Sequence, residues 1–287
     1  MAVKGKAAAA ETPSGKGAGD ENFPVGSFLL PARLRPHVAC YYAFARAIDD
    51  IADNPILSPK EKTRRLENFA RAVKGKETNP AYAKAIALKE SLAETGVDPK
   101  HALDLVSAFK QDAVKLRYRN WGELMDYCDR SAAPVGRYLL ELHGENRAGF
   151  PYSDALCNAL QVINHLQDCK GDFASLNRVY LPQDWLKKHK GRSEDLKGGA
   201  ATPGLLAAIR QCVAASRKLM ETARKLPARL QSRQLAMESA VIVRIAEQLL
   251  DKLGREDPVA KRVELNALEF ISCGAAGAFR TLFRRGG

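Results

Sequence analysis

Apolar residues recur along the chain at the spacing of α-helices rather than of β-strands. Leu156, Leu160, Ile163 and Leu166, for example, follow one another at intervals of three or four positions, which places them on one helical face. β-branched runs bounded by turn residues are almost absent, and no Asn-Gly or Asp-Gly pair marks a hairpin. The pattern therefore predicts an all-α protein of about ten helices with no sheet.

Signals for the ends of helices recur between these apolar faces. A cap residue followed by proline, which is typical of helix starts, occurs at Ser58-Pro59, Asp98-Pro99 and Thr202-Pro203. Pro36 is placed to lie in the first turn of a helix that runs through Asp53. Glycines expected just after helices are Gly75, Gly96, Gly144 and Gly254. The longest loop is expected over 190–203.

The composition separates a short first segment from the rest of the chain. Residues 1–20 are rich in Ala, Gly and Lys and have too few large apolar side chains to offset the entropy of ordering. We therefore expect a disordered tail over 1–20, and not a targeting segment, because four consecutive alanines are too few for a signal-peptide core. Residues 21–287 are predicted to form one domain, since the chain is 46% apolar without a break in composition.

Net charge and cysteine usage limit the partners and the compartment. The formal charge of +12 is compatible with nucleic acid, an anionic membrane surface or a polyanionic substrate. The basic residues are scattered and the common nucleic-acid-binding motifs are absent, so we expect no nucleic-acid partner. Six cysteines without a Cys-x-x-Cys pair favour a reduced, cytoplasmic protein. No run of about 18 apolar residues occurs, so no membrane-spanning helix is expected.

The first cluster with chemical potential lies at the end of the helix predicted through residue 53. Tyr42, Arg46, Asp49 and Asp53 are spaced by four, three and four positions, which places them on one stripe. Carboxylates four positions apart on a helix repel each other. A hard divalent cation such as Mg²⁺, bound between them, makes the arrangement favourable. Arg46 on the same stripe suits a phosphate group as a further occupant. The alternative interpretation is a solvated acidic helix end.

A second polar stripe lies on a largely apolar helix. Asn164, Asp168 and Asp172 are spaced by four positions, and Gly171 is expected to weaken the last turn so that Asp172 lies at a fraying end. An ordinary helix C-terminus is the alternative for this stripe alone. Two Asp-x-x-x-Asp helices in one chain can together hold several Mg²⁺ ions, which act as Lewis acids on a diphosphate leaving group.

These residues form motifs that resemble those of the squalene/phytoene synthase family of head-to-head prenyl synthases. Tyr42-Ala-Phe-x-Arg46, followed by Asp49-Asp-Ile-x-Asp53, is similar to the family's first motif. The stretch from Leu160 to Asp172 is similar to its second motif, and Arg178-Val-Tyr-Leu-Pro182 to the segment that follows. The resemblance covers the chain from about residue 21 and implies a class I isoprenoid-synthase helical fold with a central cavity.

The resemblance also implies roles for individual residues. Asp49, Asp53, Asp168 and Asp172 would be the catalytic carboxylates that bind Mg²⁺ and diphosphate, with Asn164 as a further metal ligand. The residues implied to bind substrate are Tyr42, Arg46, Arg117, Tyr127, Gln161, Asn164, Arg178 and Tyr180. Tyr127 and Tyr180 would steady cations through their ring faces, although buried packing is the alternative for both.

Within the family, the entry segments Glu21–Ser27 and Leu30–His37 resemble the hydroxysqualene synthases of bacterial hopanoid pathways. This resemblance implies that presqualene diphosphate loses diphosphate and that water captures the rearranged cation, with Tyr42, Asn164 and His165 as candidates to position the water. The first alternative is condensation of two farnesyl diphosphates, which Asn22 in place of the family's serine disfavours. The second is a non-catalytic helical scaffold, which four intact aspartates disfavour.

The C-terminal stretch Leu268–Arg285 combines apolar residues with a basic end. It is interpreted either as a helix on the inner membrane surface or as a last core-packing helix with a solvated end. The expected partners are an isoprenoid diphosphate substrate, a peripheral membrane surface and a presqualene diphosphate synthase that hands over its product.

Overall fold

The computed structural model describes residues 9–13 and 30–274, and these fall into two compact units within 1–114 and 115–287. The fold prediction is confirmed, because helices account for nearly all regular structure in the described residues. Strand-like pairing within those ranges is limited to one isolated bridge between Arg117 and Val179. The prediction that residues 21–287 form one domain stays a prediction.

The first unit is a bundle of four helices around an aromatic and aliphatic core. They are α1 (Arg35–Asp53), α2 (Pro59–Val73), α3 (Ala83–Thr95) and α4 (Lys100–Asp112), with a 3-10 turn at Pro80–Tyr82. Phe44 and Ile48 are fully buried on one face of α1, as their spacing requires for a core stripe. The rings of Phe44 and Phe69 lie 5.9 Å apart, and Phe69 meets Tyr82 edge-on at 5.3 Å. This packing fixes α1, which carries the first acidic cluster.

Local chemistry sets the ends of these helices as the sequence predicts. The Ser58 hydroxyl accepts a hydrogen bond from the Glu61 N–H at 3.3 Å, which caps α2. The Glu61 carboxylate turns to Arg64 and Arg65 instead of completing a reciprocal capping box. Gly96 ends α3 at a φ of 72°, a left-handed conformation that glycine adopts without steric cost.

Residues 9–13 lie within the segment predicted to be a disordered tail, yet they contact the first unit. The Ala10 N–H donates to the Ala81 carbonyl at 3.0 Å, and the Arg65 guanidinium donates to the Ala10 carbonyl at 2.6 Å. Glu11 forms an ion pair with Lys84 at 2.9 Å. For these five residues the structure differs from the prediction, because backbone and charge partners replace the missing apolar contacts. The remainder of the segment lies outside the described residues.

The second unit is built around the long helix α7. Its helices are α5 (Trp121–Ser131), α6 (Ala133–Leu142), α7 (Phe150–Gln167), α8 (Cys169–Leu176), α9 (Gln183–Lys188), α10 (Pro203–Ala223) and α11 (Arg233–Leu253). The 3-10 turns are Arg147–Gly149, Ser193–Lys197 and Leu226–Ala228, and a last helical segment occupies 267–274. α7 packs against α5, α6, α10 and α11, and its predicted apolar stripe is buried. The turn at Ser193–Lys197 lies within the predicted loop 190–203.

A glycine permits the close approach of α6 to α7. A Cβ atom on Gly136 would lie 2.7 Å from the sulfur of Cys157 and would overlap the hydroxyl of Ser153. Burial raises the pKa of Cys157 and of Cys169 to about 12, so both behave as small apolar side chains. Within the part of the chain that the structure describes, no helix is long and apolar enough to cross a bilayer.

Candidate active site

The end of α1 carries the first acidic cluster on one unbroken helix. Arg46 donates from Nε to Asp50 at 3.1 Å and also bonds to the Asp49 carboxylate. The Asp50 side chain is 2% exposed, so its charge depends on this partner. The arginine that the sequence assigned to a phosphate is therefore also the internal counter-ion of two neighbouring aspartates. Asp50 was not among the predicted site residues, although its position four residues after Arg46 indicates that the two side chains can pair on one helical face.

The last turn of α1 concentrates negative charge. Asp49 and Asp53 lie at the helix C-terminus, where the backbone carbonyls already carry partial negative charge. The chain then turns sharply, since the Asn54 side-chain oxygen accepts from the Ile56 and Leu57 N–H groups at 2.9 and 3.1 Å. Carboxylates at this end of a helix are unfavourable unless a cation lies beside them. Tyr42, three turns earlier on the same helix, is half-buried.

The second acidic cluster lies on two helices rather than one. α7 ends at Gln167 and α8 begins at Cys169, with Asp168 between them at φ −99° and ψ 3°. The Asp168 N–H still donates to the Asn164 backbone carbonyl at 3.0 Å, and the Asp172 N–H donates to the Asp168 backbone carbonyl at 2.8 Å. The predicted fraying at Gly171 is therefore wrong: the irregular residue is Asp168, and Asp172 belongs to the first turn of α8.

A segment far along the chain holds this junction, and we call residues 255–266 the return segment. Arg262 donates from Nε to Asp168 at 2.6 Å and also pairs with Glu264. The Gln167 amide donates to the Val263 carbonyl at 2.5 Å, and Lys170 donates to the Val259 carbonyl at 3.2 Å. The neighbouring Asp168 raises the pKa of Arg262. The departure from a continuous helix coincides with these three attachments.

Four rings form a buried aromatic cluster in the second unit: Tyr118, Tyr127, His165 and Tyr180. Tyr180 stacks on Tyr118 at 5.5 Å and lies 5.7 Å from Tyr127, measured between ring centroids. His165 stacks on Tyr180 at 3.4 Å with an interplanar angle of 8°. The structure thus brings together Tyr127 and Tyr180, the two tyrosines that the family resemblance suggested, and adds a histidine to them.

A buried arginine borders the aromatic cluster. Arg178 is 5% exposed, and its guanidinium donates to the Tyr180 hydroxyl at 3.3 Å. Burial, together with the positive charge of Arg178, lowers the pKa of His165 to about 3. The imidazole is therefore uncharged at neutral pH. A neutral ring among electron-rich aromatic faces suits a cationic occupant better than an imidazolium would.

The remaining predicted residues lie around α7 and α8. Arg117 donates to the backbone and side-chain oxygens of Asn177, and its guanidinium lies 5.6 Å from the centre of the Phe173 ring. Burial lowers its pKa. Gln161 and Asn164 are half-buried, one helical turn apart on α7. Arg117 is thus fastened to the end of α8 within this unit.

The donor chemistry of both clusters fits a hard cation. In the described ranges, no three side chains drawn from His, Cys, Asp and Glu converge as a complete metal cage. Mg²⁺, however, is commonly bound through one or two carboxylates, with water and phosphate oxygens at its other positions. Asp49 and Asp168 are 26% and 42% exposed in their side chains, which leaves part of each carboxylate accessible. The oxygen-only set of aspartates and Asn164 therefore fits magnesium.

Comparison with known proteins defines the class. The sequence description of the squalene/phytoene synthase family matches residues 17–269, and the chain belongs to this family. It is 40% identical to a hydroxysqualene synthase of Zymomonas mobilis, over 98% of this chain and 95% of the relative. A presqualene diphosphate synthase of the same organism is 29% identical over 66% of this chain and 65% of its own length. The family resemblance read from the two motifs is confirmed.

A solved structure supports the same assignment of fold. The crystal structure of a squalene synthase from Alicyclobacillus acidocaldarius is 32% identical, with a TM-score of 0.70. The match covers 80% of this chain and 87% of the other. The chain therefore has the helical fold of these isoprenoid synthases, as its sequence motifs implied.

Proposed function

We propose that this protein is a hydroxysqualene synthase, which ionises presqualene diphosphate and adds water to the rearranged cation. The observation that carries the proposal is 40% identity to a hydroxysqualene synthase along nearly the whole of both chains. Identity to a presqualene diphosphate synthase is lower and covers only 66% of this chain. The neutral aromatic cluster and the two acidic clusters are the chemistry that such a reaction needs.

We further propose that the enzyme uses Mg²⁺. Asp49 and Asp53 would be the metal ligands in the first unit, and Asn164, Asp168 and Asp172 would be the metal ligands in the second. When bound, Mg²⁺ supplies Lewis-acid stabilisation of the charge that develops on the departing diphosphate. The support is the oxygen-only donor set and the concentration of negative charge at the end of α1.

The protein's own residues perform the other tasks. Arg46 holds Asp49 in place through its bonds to Asp49 and Asp50. Tyr127 and Tyr180 would stabilise the carbocation through their ring faces, each worth about 0.5–2 kcal/mol. Their burial also limits the entry of bulk water, which would otherwise capture the cation indiscriminately. The substrate's ionisation and its selective hydration thus depend on different residues.

Incubation of the purified full-length chain with each diphosphate separately tests the proposal. With Mg²⁺ and without a nicotinamide, presqualene diphosphate should yield hydroxysqualene, and farnesyl diphosphate alone should yield no C30 product. Formation of a C30 product from farnesyl diphosphate alone would instead establish the condensation reaction. Failure to consume either substrate would favour a non-catalytic role.

We propose, in addition, that the C-terminus contacts a membrane surface. Leu268 and Ile271, on the helical segment 267–274, are 79% and 66% exposed. Exposed apolar side chains at this density are typical of helices that lie on lipid, and the C30 product is itself apolar. The basic residues that follow lie outside the described residues. Cytoplasmic location at the inner membrane face, and handover from a presqualene diphosphate synthase, are part of this proposal.

Flotation with vesicles tests the membrane contact. The full chain should float with anionic phospholipid vesicles, and a Leu268→Ser, Ile271→Ser variant should float less. The matched control is Val114→Ser, which replaces an apolar side chain that is 65% exposed in the first unit. Equal flotation of all three proteins would contradict the assignment of this segment.

A further inference from the structure

His165 carries a buried nitrogen atom that nothing in the described structure satisfies. The residue is 8% exposed, and its Nε2 atom has no hydrogen-bond partner among the described residues. The ring stacks on Tyr180 at 3.4 Å and lies 6.0 Å from Tyr127. The unsatisfied atom therefore belongs to the aromatic cluster already described, in the second unit.

An unpaired buried nitrogen of this kind carries an energetic cost. Leaving a buried polar group without a partner costs about 1–3 kcal/mol, and native proteins commonly satisfy such groups with an ordered water. A phenylalanine at this position would keep the ring stacking and avoid the cost. The Nε2 atom of His165 is thus open to a partner that the protein side chains do not provide, and water is the smallest such partner.

Two other residues were candidates to position water, and both are already engaged. Tyr42 and Asn164 each take part in interactions within the described structure, and neither has a fully buried side-chain atom that lacks a hydrogen-bond partner. His165 is also the candidate that directly contacts the tyrosine rings. These observations favour His165 over the other two.

We propose that His165 Nε2 accepts a hydrogen bond from the water molecule that captures the carbocation. This inference rests on the proposed hydroxysqualene synthase function. With the ring proton on Nδ1, Nε2 accepts one water O–H, which leaves an oxygen lone pair available to the cation. The water oxygen forms the new C–O bond, and the resulting oxonium loses one proton to the released diphosphate. Atoms and charge balance without any further reactant. His165 is thus a positioning residue for the nucleophile.

The test separates hydration from ionisation by measuring two products of the same reaction. Presqualene diphosphate is supplied to the Mg²⁺-loaded enzyme, and both released diphosphate and the hydroxylated share of C30 products are measured. In His165→Phe, diphosphate release should stay within a few-fold of wild type, since the stacked ring is kept. The hydroxylated share relative to elimination hydrocarbons should fall by about tenfold, as expected for loss of one hydrogen bond. His165→Gln, which retains an acceptor, should recover part of the hydroxylated share.

The matched control is His101→Phe, which makes the same change at a buried histidine on α4 in the first unit. It should leave the product ratio unchanged. If wild type produces hydroxysqualene and His165→Phe has the same ratio of hydroxylated to hydrocarbon products, the role of His165 is overturned while the proposed function stands. Wild type that forms no hydroxysqualene would instead overturn the proposed function.

A measurement on the unaltered protein covers the case in which His165→Phe does not fold. Nitrogen-15 NMR of the histidine rings distinguishes protonated from unprotonated ring nitrogens. If Nε2 accepts a hydrogen bond from water, His165 is an Nδ1–H tautomer whose Nε2 is unprotonated and hydrogen-bonded. A protonated Nε2 would contradict it whatever the variants do.

Discussion

The two acidic clusters use different means to hold an aspartate against an arginine. At the end of α1, Arg46 pairs with Asp49 and Asp50, three and four residues away on the same helix. At the junction of α7 and α8, Asp168 pairs with Arg262, which lies 94 residues further along the chain. The first arrangement follows from helical periodicity, whereas the second requires the return segment to be in place. The ion pairs within α1 and the long-range ion pair between Asp168 and Arg262 should therefore respond differently to mutation.

Loss of an aspartate from either cluster should have the largest effect. Asp49→Ala and Asp168→Ala should each reduce diphosphate release by about a hundredfold or more, because each removes a proposed carboxylate ligand of Mg²⁺. The double variant should be far less than additive, since both residues serve one step. Steady-state diphosphate release measures all three variants.

Asp251→Ala provides a control for these losses. Asp251 also forms an ion pair with an arginine, Arg217 at 2.8 Å, but it is exposed on α11. Its removal should leave the rate within twofold or so. A comparable loss in Asp251→Ala would mean that the effects reflect general damage rather than either cluster.

Loss of the ion pair between Arg46 and Asp50 within α1 should lower the free energy of unfolding. Asp50→Ala leaves the half-buried Arg46 without one of its partners, and breaking a buried pair in this way costs about 3 kcal/mol. Urea unfolding of the metal-free protein would measure the change. Asp126→Ala, which breaks the exposed pair with Arg130, should cost less than about 1 kcal/mol. Equal costs would show that the burial of Asp50 has no energetic consequence.

The buried histidine should make stability depend on pH. The folded pKa of His165 is about 3, below the ordinary value of 6.5, so the unfolded chain binds a proton first as the pH falls. Stability is therefore lost below about pH 6.5, by up to about 1.4 kcal/mol per pH unit from this residue. His165→Phe removes that contribution. Unfolding free energies between pH 7 and pH 5 should thus decrease less in the variant than in wild type, and parallel curves would contradict the assignment.

Loss of the long-range ion pair between Asp168 and Arg262 should have the smallest effect on global stability. Arg262→Met removes a half-exposed ion pair, so the unfolding free energy should change by less than about 1 kcal/mol. The return segment should nevertheless open more often, because one of its attachments to the α7–α8 junction is gone. Limited proteolysis within 255–266 should accelerate severalfold. Unchanged cleavage would show that Gln167 and Lys170 suffice to hold the segment.

This contrast explains which features could be predicted from the sequence. The helical class, the cap at Ser58 and the continuous stripe from Tyr42 to Asp53 follow from rules that span four residues or fewer. The family motifs then suggested Tyr127 and Tyr180, which the structure places in one cluster. Asp50 was within reach of the same local rules, because it lies four positions after Arg46.

The features that could not be predicted depend on distant partners. Gly171 was a local signal for a weak turn, yet the irregular residue is Asp168, whose carboxylate meets Arg262. No pattern near residue 168 identifies a partner 94 positions away. The unsatisfied nitrogen of His165 likewise becomes evident only when its surroundings are known. The entry segment around Asn22 lies outside the described residues, so its interpretation stays a prediction.

The proposed hydration of the carbocation is tested most directly by following the oxygen of the product. Presqualene diphosphate should be supplied to the Mg²⁺-loaded enzyme in oxygen-18 water without a nicotinamide, and the C30 products analysed by mass spectrometry. We expect hydroxysqualene that carries one solvent-derived oxygen, with one diphosphate released per product. A C30 hydrocarbon as the main product, or an alcohol whose oxygen comes from the diphosphate ester, would contradict it.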